Sequence, residues 1–237
     1  MRTLQKNKFK SPYVTASGRA LPGVTTILGL LNKPALLPWA WSQGKKGIPL
    51  NKAKDDAIDV GNIAHYLIEC FVTGQEPALD EAYNPEHVLL AHQMLYLFQD
   101  YWRIRQATLV ASELPLIDEE IGYGGTIDLI VECADRKTTE IWDIKTSKDI
   151  WPEYWMQLAG YLNLCDSNEE LKYDVDVCRI LLITKDLTFS AALKSDEYME
   201  DALNAFLHLA AAYPYVIKVR TGESTLLGNK LSAIVCK

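Results

Sequence analysis

The chain has 237 residues, 49% of them hydrophobic and 23% charged, which excludes wholesale disorder and suits one large domain or one domain with an elaborated end. The formal charge of −7 is unevenly spread: residues 1–54 hold ten Lys or Arg and no acid, which leaves −17 on the remainder. A basic arm on an acidic body suits contact with a polyanion, or only a solvated face. No stretch approaches the roughly 20 apolar residues that span a bilayer, and the start has no apolar signal core, so a soluble cytoplasmic protein with no membrane partner is expected. Cys70, Cys133, Cys165, Cys178 and Cys236 are scattered and never spaced as C-x-x-C, and read as buried thiols rather than a disulfide framework or a zinc site.

In chain order, Tyr13 to Pro22 predicts a short hairpin turning at Ser17-Gly18, and Gly23 to Leu31 a short helix. Trp39 and Trp41 follow between Pro38 and the breaks expected at Gly44 and Gly47. Ile58, Ile63, Leu67, Ile68 and Phe71 have helical spacing over Asp55 to Val72, ended by Gly74. A second long helix is expected from Pro85 to Arg105, with Val88, Leu89, Leu95, Leu97, Phe98 and Trp102 partly buried. Three strands come next, Thr108 to Ile117, Ile121 to Cys133 and Thr139 to Thr146. A helix from Trp151 or Pro152 to Leu164, strands at Val175 to Thr184 and Leu187 to Leu193, and a helix from Asp196 to Tyr213 complete the order. The expected class is α/β: a mixed β-sheet flanked by helices, with a helical N-terminal lobe.

The chemistry is concentrated in Gly124-Gly125-Thr126-Ile127-Asp128 and Trp142-Asp143-Ile144-Lys145-Thr146. Strand alternation puts Asp143 and Lys145 on one face. A turn centred on Asp135-Arg136 sets Asp128 opposite Asp143; centred one residue later, it sets Asp128 opposite Lys145. Either register gathers all three on one face of a hairpin. Opposed carboxylates repel, and a hard divalent cation, Mg²⁺ or Mn²⁺, relieves that. Metal, carboxylates and an ammonium together suit hydrolysis of a phosphodiester. An ordinary salt-bridged hairpin has the same Asp-x-Lys, which is common.

The wider set, in order, is Gly61-x-x-x-His65-x-x-x-Glu69, Glu113, Gly125-x-x-Asp128, Asp143-x-Lys145-Thr146-Ser147 and Gln157-x-x-x-Tyr161. This set resembles the RecB-type exonuclease branch of the PD-(D/E)XK nuclease superfamily, which includes phage exonucleases and CRISPR adaptation nucleases. The resemblance covers about residues 60 to 165. It implies a restriction-endonuclease-like core over 55–219, after a basic lobe at 1–54 and before a tail at 220–237.

The resemblance also implies roles. His65, Asp128, Asp143 and the carbonyl of Ile144 would hold the metal. Lys145 would position or activate the attacking water and stabilise the transition state. Glu113 matches an additional acidic position, and Gln157 and Tyr161 match a helix motif that orients the site and touches DNA. Some relatives carry a four-cysteine iron-sulfur cluster. The cysteines here are not clustered, and none is expected. The implied activity is a Mg²⁺- or Mn²⁺-dependent exonuclease on free or single-stranded DNA ends, in phage or mobile-element recombination or repair, in a bacterial host cytoplasm if phage-encoded. An endonuclease on the same core and a non-catalytic DNA-binding or inhibitory module are the rivals. No G-x-x-x-x-G-K-[ST] loop occurs, so any unwinding falls to a helicase or recombinase partner. Arg19, Lys45 and Lys46 are candidates to grip the DNA strand. Glu69 is a lesser candidate, Trp39, Trp41, Trp151, Tyr154 and Trp155 either stack on bases or pack, and His87, His92 and His208 are read as structural.

Overall fold

The computed structural model describes residues 13–34, 36–168 and 174–222. Cys236 and most of the 220–237 tail lie outside the described residues, as do four of the ten N-terminal basic residues.

Five strands form one mixed sheet in the order β1 (Ala107–Asp118), β2 (Tyr123–Cys133), β3 (Thr138–Lys145), β4 (Val177–Ile183), β5 (Phe189–Ala192). All neighbours are antiparallel except β3 and β4. That parallel pair needs a crossover, and α5 (Pro152–Ser167) supplies it. β3 and β4 are central and covered on both faces, which is why Ile141-Trp142 and Ile180 to Ile183 read as continuous apolar runs rather than alternating ones.

The helices divide between the two faces. α3 (Leu50–Thr73) and α4 (Pro85–Ile104) cover one, where Val60, Ile63, Leu67, Met94 and Phe98 meet Leu129, Trp142, Ile144 and Leu181. α1 (Val24–Leu28), α5 and α6 (Asp196–Thr221) cover the other, where Val24, Ile27, Leu158, Leu164 and Phe206 meet Ile127, Ile141 and Ile180. Each helix end has a local cause. Asn84 caps α4 by accepting the Glu86 amide at 2.9 Å, with Pro85 in the first turn. Gly74, at φ +68°, returns its amide to Cys70 and ends α3.

The mixed α/β architecture and its element order agree with the sequence reading, with local corrections. α3 starts at Leu50, so the expected boundary at 54/55 falls inside a continuous helix. Ile58 is 56% exposed because it lies five residues before Ile63 and nine before Leu67, on the opposite side of α3 from the buried stripe. On α4 the buried positions are Ala91, Met94 and Phe98, while Leu89 is exposed. Gly44 lies within α2 (Leu36–Lys45), and Gly47, at φ +69°, follows its end. α6 starts at Asp196 as expected and is capped by Ser195, whose side chain accepts the Tyr198 amide. α6 runs through Pro214 to Thr221: one proline removes a single amide, and seven further residues continue the helix beyond it. Cys70, Cys133 and Cys165 are buried free thiols and Cys178 is half-buried. No helix among the described residues is long and apolar enough to cross a membrane.

Candidate active site

The site begins with strand register. Leu129 faces Trp142, so the next pair outward is Asp128 and Asp143. Of the two registers open at the level of sequence, this is the one centred on Asp135-Arg136. Ser112 faces Leu129 and Leu114 faces Ile127, which sets Glu113 opposite Asp128. Three strands thus carry Glu113, Asp128 and Asp143 in one row. The β2–β3 ladder ends at Leu129 and Trp142, and the Ile144 amide instead donates to Asp128 Oδ2 at 2.8 Å. Ile144 enters the site through that bond. Glu113 has φ +47°, a left-handed conformation that costs an ordinary residue about 1–2 kcal/mol.

His65 arrives from the opposite side on α3. A Cβ at Gly61 would stand 2.9 Å from Thr146 Oγ1, so the glycine lets the helix cross the end of β3 at close range. One turn later His65 Nδ1 lies 3.7 Å from Asp128 Oδ2. One ligand atom each from His65, Glu113 and Asp128 falls within 4.8 Å of the others. Glu69, a further turn along, is half-buried and outside this group.

Asp143 is 1% exposed. Its Oδ2 lies 2.5 Å from Lys145 Nζ, yet neither oxygen accepts a well-aligned hydrogen bond. Burial pushes its carboxyl up, Lys145 opposes that, and the Asp128 charge adds to it. Burial works against the Lys145 ammonium, but the Asp143 and Asp128 charges outweigh it and raise its pKa. Lys145 Nζ also sits 5.0 Å from the Tyr154 ring centroid.

Helix α5 closes the same side. Gln157 Nε2 donates to the Tyr161 hydroxyl at 2.6 Å, both residues being buried. Burial, followed by the Asp143 and Asp128 charges, holds the Tyr161 phenol well above its ordinary pKa, so it stays protonated. Tyr161 reaches this position because Gly125 has no side chain: a Cβ there would stand 2.7 Å from the ring.

Tyr13, read from the sequence only as the start of a hairpin, is a further neighbour of the site. Its ring covers Gly124, where a Cβ would stand 2.5 Å from Tyr13 Cγ, and its hydroxyl pairs with Thr126 Oγ1 at 2.8 Å. Burial raises its pKa, the Thr126 bond opposes this, and the nearby Glu113 and Asp128 charges reinforce it. The only sequence signal was the Gly124-Gly125 pair inside a strand, which marks close approach by other groups.

A divalent cation fits these residues. The donors are one imidazole and several carboxylate oxygens, a set suited to Mg²⁺ or Mn²⁺, and Asp143 has an oxygen without a partner. The emphasis differs from the sequence expectation: Glu113 joins His65 and Asp128 in the closest donor group, while Asp143 is paired with Lys145. The three basic candidates lie elsewhere. Exposed Arg19 sits beside the β1–β2 turn at Gly122, and Lys45 and Lys46 are exposed at the end of α2, with Lys45 Nζ 5.5 Å from the Trp41 ring. Trp155 is buried against Tyr198 and is a packing residue.

No protein-family model matches the chain, and no curated protein matches it. Among solved structures, a protein from Eubacterium rectale described as a putative exonuclease is similar at 14% identity, over 71% of this chain and 68% of that one, with a TM-score of 0.46. The alkaline exonuclease LHK-Exo of Laribacter hongkongensis is similar at 16% identity, over 70% of this chain and 91% of that one, with a TM-score of 0.35. A complex of LHK-Exo with dAMP gives 17% identity over 71% and 91%, with a TM-score of 0.34. These likenesses are too distant to assign a function.

Proposed function

We propose that the chain is a metal-dependent deoxyribonuclease of PD-(D/E)XK type, with a restriction-endonuclease-like core, that acts as an exonuclease on free or single-stranded DNA ends. The observation that supports this reading is the convergence of His65, Glu113 and Asp128 within 4.8 Å, next to the buried Asp143–Lys145 pair. A salt-bridged hairpin accounts for Asp143 and Lys145. It does not account for an imidazole brought from α3 and a further carboxylate from β1 that converge on Asp128.

His65, Glu113, Asp128 and Asp143, with the Ile144 carbonyl, would hold Mg²⁺ or Mn²⁺. When bound there, such an ion supplies Lewis acidity that lowers the pKa of water and offsets phosphate charge. The chain's own groups do the rest. Lys145, held on Asp143, would position or activate the attacking water and stabilise negative charge on a phosphate oxygen. Asp143 holds the ammonium in place. Tyr161, a neutral phenol fixed by Gln157, is a hydrogen-bond donor at the edge of the acidic row. Arg19, Lys45 and Lys46 would draw the polyanionic strand toward a site that is itself acidic.

The test is degradation of 5′- and 3′-labelled single- and double-stranded DNA with Mn²⁺, beside Lys145→Ala and a closed circular substrate. An exonuclease shortens the linear strands, spares the circle and loses activity with Lys145→Ala. Cutting of the circle would make the chain an endonuclease, and binding without cutting would make it a non-catalytic module.

A further inference from the structure

Resting on the nuclease reading, we propose that Tyr154 is a positioning residue: its ring face holds the Lys145 ammonium over Asp143, at the spot where phosphate charge develops. Lys145 is the last residue of β3, and its ammonium ends a flexible four-carbon stem. Two contacts fix that end: Asp143 Oδ2 at 2.5 Å and the Tyr154 ring centroid at 5.0 Å. Asp143 alone leaves the ammonium free to pivot about a single carboxylate. The ring supplies the second point.

The chemistry of a ring suits this place better than a third carboxylate. The negative face of an aromatic ring attracts a cation without using its N–H donors. Those donors stay available to Asp143 and to a phosphate oxygen. A further acid would add repulsion to a row that already holds Glu113, Asp128 and Asp143, and would compete with the phosphate for the ammonium. The helix geometry agrees. Tyr154, Gln157 and Tyr161 recur at three and four residues on α5 and so share one face, toward the site. Trp155, next in sequence, turns to the core and Tyr198. Phenylalanine keeps the ring face, so on this proposal it should serve as well.

Steady-state cleavage of labelled DNA with Mn²⁺ tests the role in the full-length chain. Tyr154→Phe should stay within about twofold of wild type, while Tyr154→Leu lowers kcat about tenfold, with KM for DNA and Mn²⁺ affinity unchanged. In a Lys145→Ala background, Tyr154→Leu should have no further effect. Wild-type rates in Tyr154→Leu, an equal loss in Tyr154→Phe, or the same loss without Lys145 would each overturn the proposal. A rise in KM at constant kcat would also overturn it, making Tyr154 a surface for DNA bases instead. The contact is read separately by NMR without DNA. The Lys145 ε-methylene protons should be shifted upfield by the ring in wild type and Tyr154→Phe, and not in Tyr154→Leu. If wild type lacks that shift, the contact does not exist. If the shift is present but no DNA is cut under any condition, the nuclease reading fails, and the role of Tyr154 with it.

Discussion

Gly61 and Thr146 meet at the crossing of α3 over the end of β3, where a Cβ on the glycine would stand 2.9 Å from the threonine Oγ1. This approach lets His65 reach Asp128 from a helix on the far face of the sheet. Gly61→Ala gains about 1 kcal/mol of helix propensity but must displace α3 or Thr146 by a few tenths of an ångström. The two effects offset in stability and not in the site. Thermal unfolding should change by only a few degrees, while Mn²⁺ affinity by calorimetry should fall about tenfold. Adding Thr146→Ala should restore it, and a double variant as weak as the single one would show that the helix position is set elsewhere.

Gly125→Ala should behave differently. The new Cβ would meet a Tyr161 ring carbon at 2.7 Å and Leu164 Cδ1 at 2.9 Å, both in the packed core between β2 and α5. Neither neighbour is a flexible chain end. The expected cost is about 2–3 kcal/mol, or roughly 5–10 °C in Tm for a chain of this size. A Tm within 2 °C of wild type would mean that α5 moves away freely.

Removal of metal gives a third test. Without a cation the row Glu113, Asp128 and Asp143 repels itself, so Asp128→Asn in EDTA should be at least as stable as wild type. Its side-chain oxygen can still accept from the Ile144 amide. With Mn²⁺ at about a hundredfold over Kd, wild type should gain about 2.7 kcal/mol, a gain that Asp128→Asn and His65→Ala both lose. Equal Mn²⁺ stabilisation in Asp128→Asn would remove that residue from the ligand set.

Away from the site, Glu140 is fully buried and accepts from Arg105 Nη2 at 2.5 Å, Arg179 Nε at 2.9 Å, Trp142 Nε1 at 2.7 Å and Thr138 Oγ1 at 3.0 Å. Burial alone would raise its pKa, but the Arg179 and Trp142 hydrogen bonds and the two guanidinium charges outweigh it and lower the value. A depressed folded-state pKa means that the unfolded chain binds the proton first on acidification. The stabilisation is therefore complete above the ordinary carboxylate range, about pH 4.3, and is lost as pH falls through the lower folded value. Glu140→Gln leaves two buried guanidinium groups short of charge and should cost about 3–5 kcal/mol at pH 7. Urea unfolding between pH 7 and 3 should show a shallower acid loss in the variant than in wild type; parallel curves would exclude Glu140 as the source.

Much of the architecture could be read from sequence because it depends on local rules. The helix start at Pro85, the stop at Gly74, and the apolar runs in β3 and β4 are each set within a few residues. The misplaced residues, Ile58 and Leu89, are apolar but off the stripe: Ile58 precedes Leu67, and Leu89 precedes Phe98, by two and a half helical turns, so each points away from the buried side of its own helix. An apolar residue type does not by itself put a side chain on the buried face; its angle around the helix axis does.

The site divides in the same way. Sequence alone determined that Asp128, Asp143 and Lys145 share a face, because side chains in strands alternate and both of the tight-turn registers keep that parity, and that Gln157 and Tyr161 are one helical turn apart. Only the tertiary structure decided that Asp128 faces Asp143 rather than Lys145, that Glu113 stands on its other side, that His65 reaches it over Gly61, and that Tyr13 and Tyr154 close in around the acids. These relations join residues far apart in the chain. They are set by turn geometry and by how closely helices can approach the sheet, which no local pattern of residue types encodes.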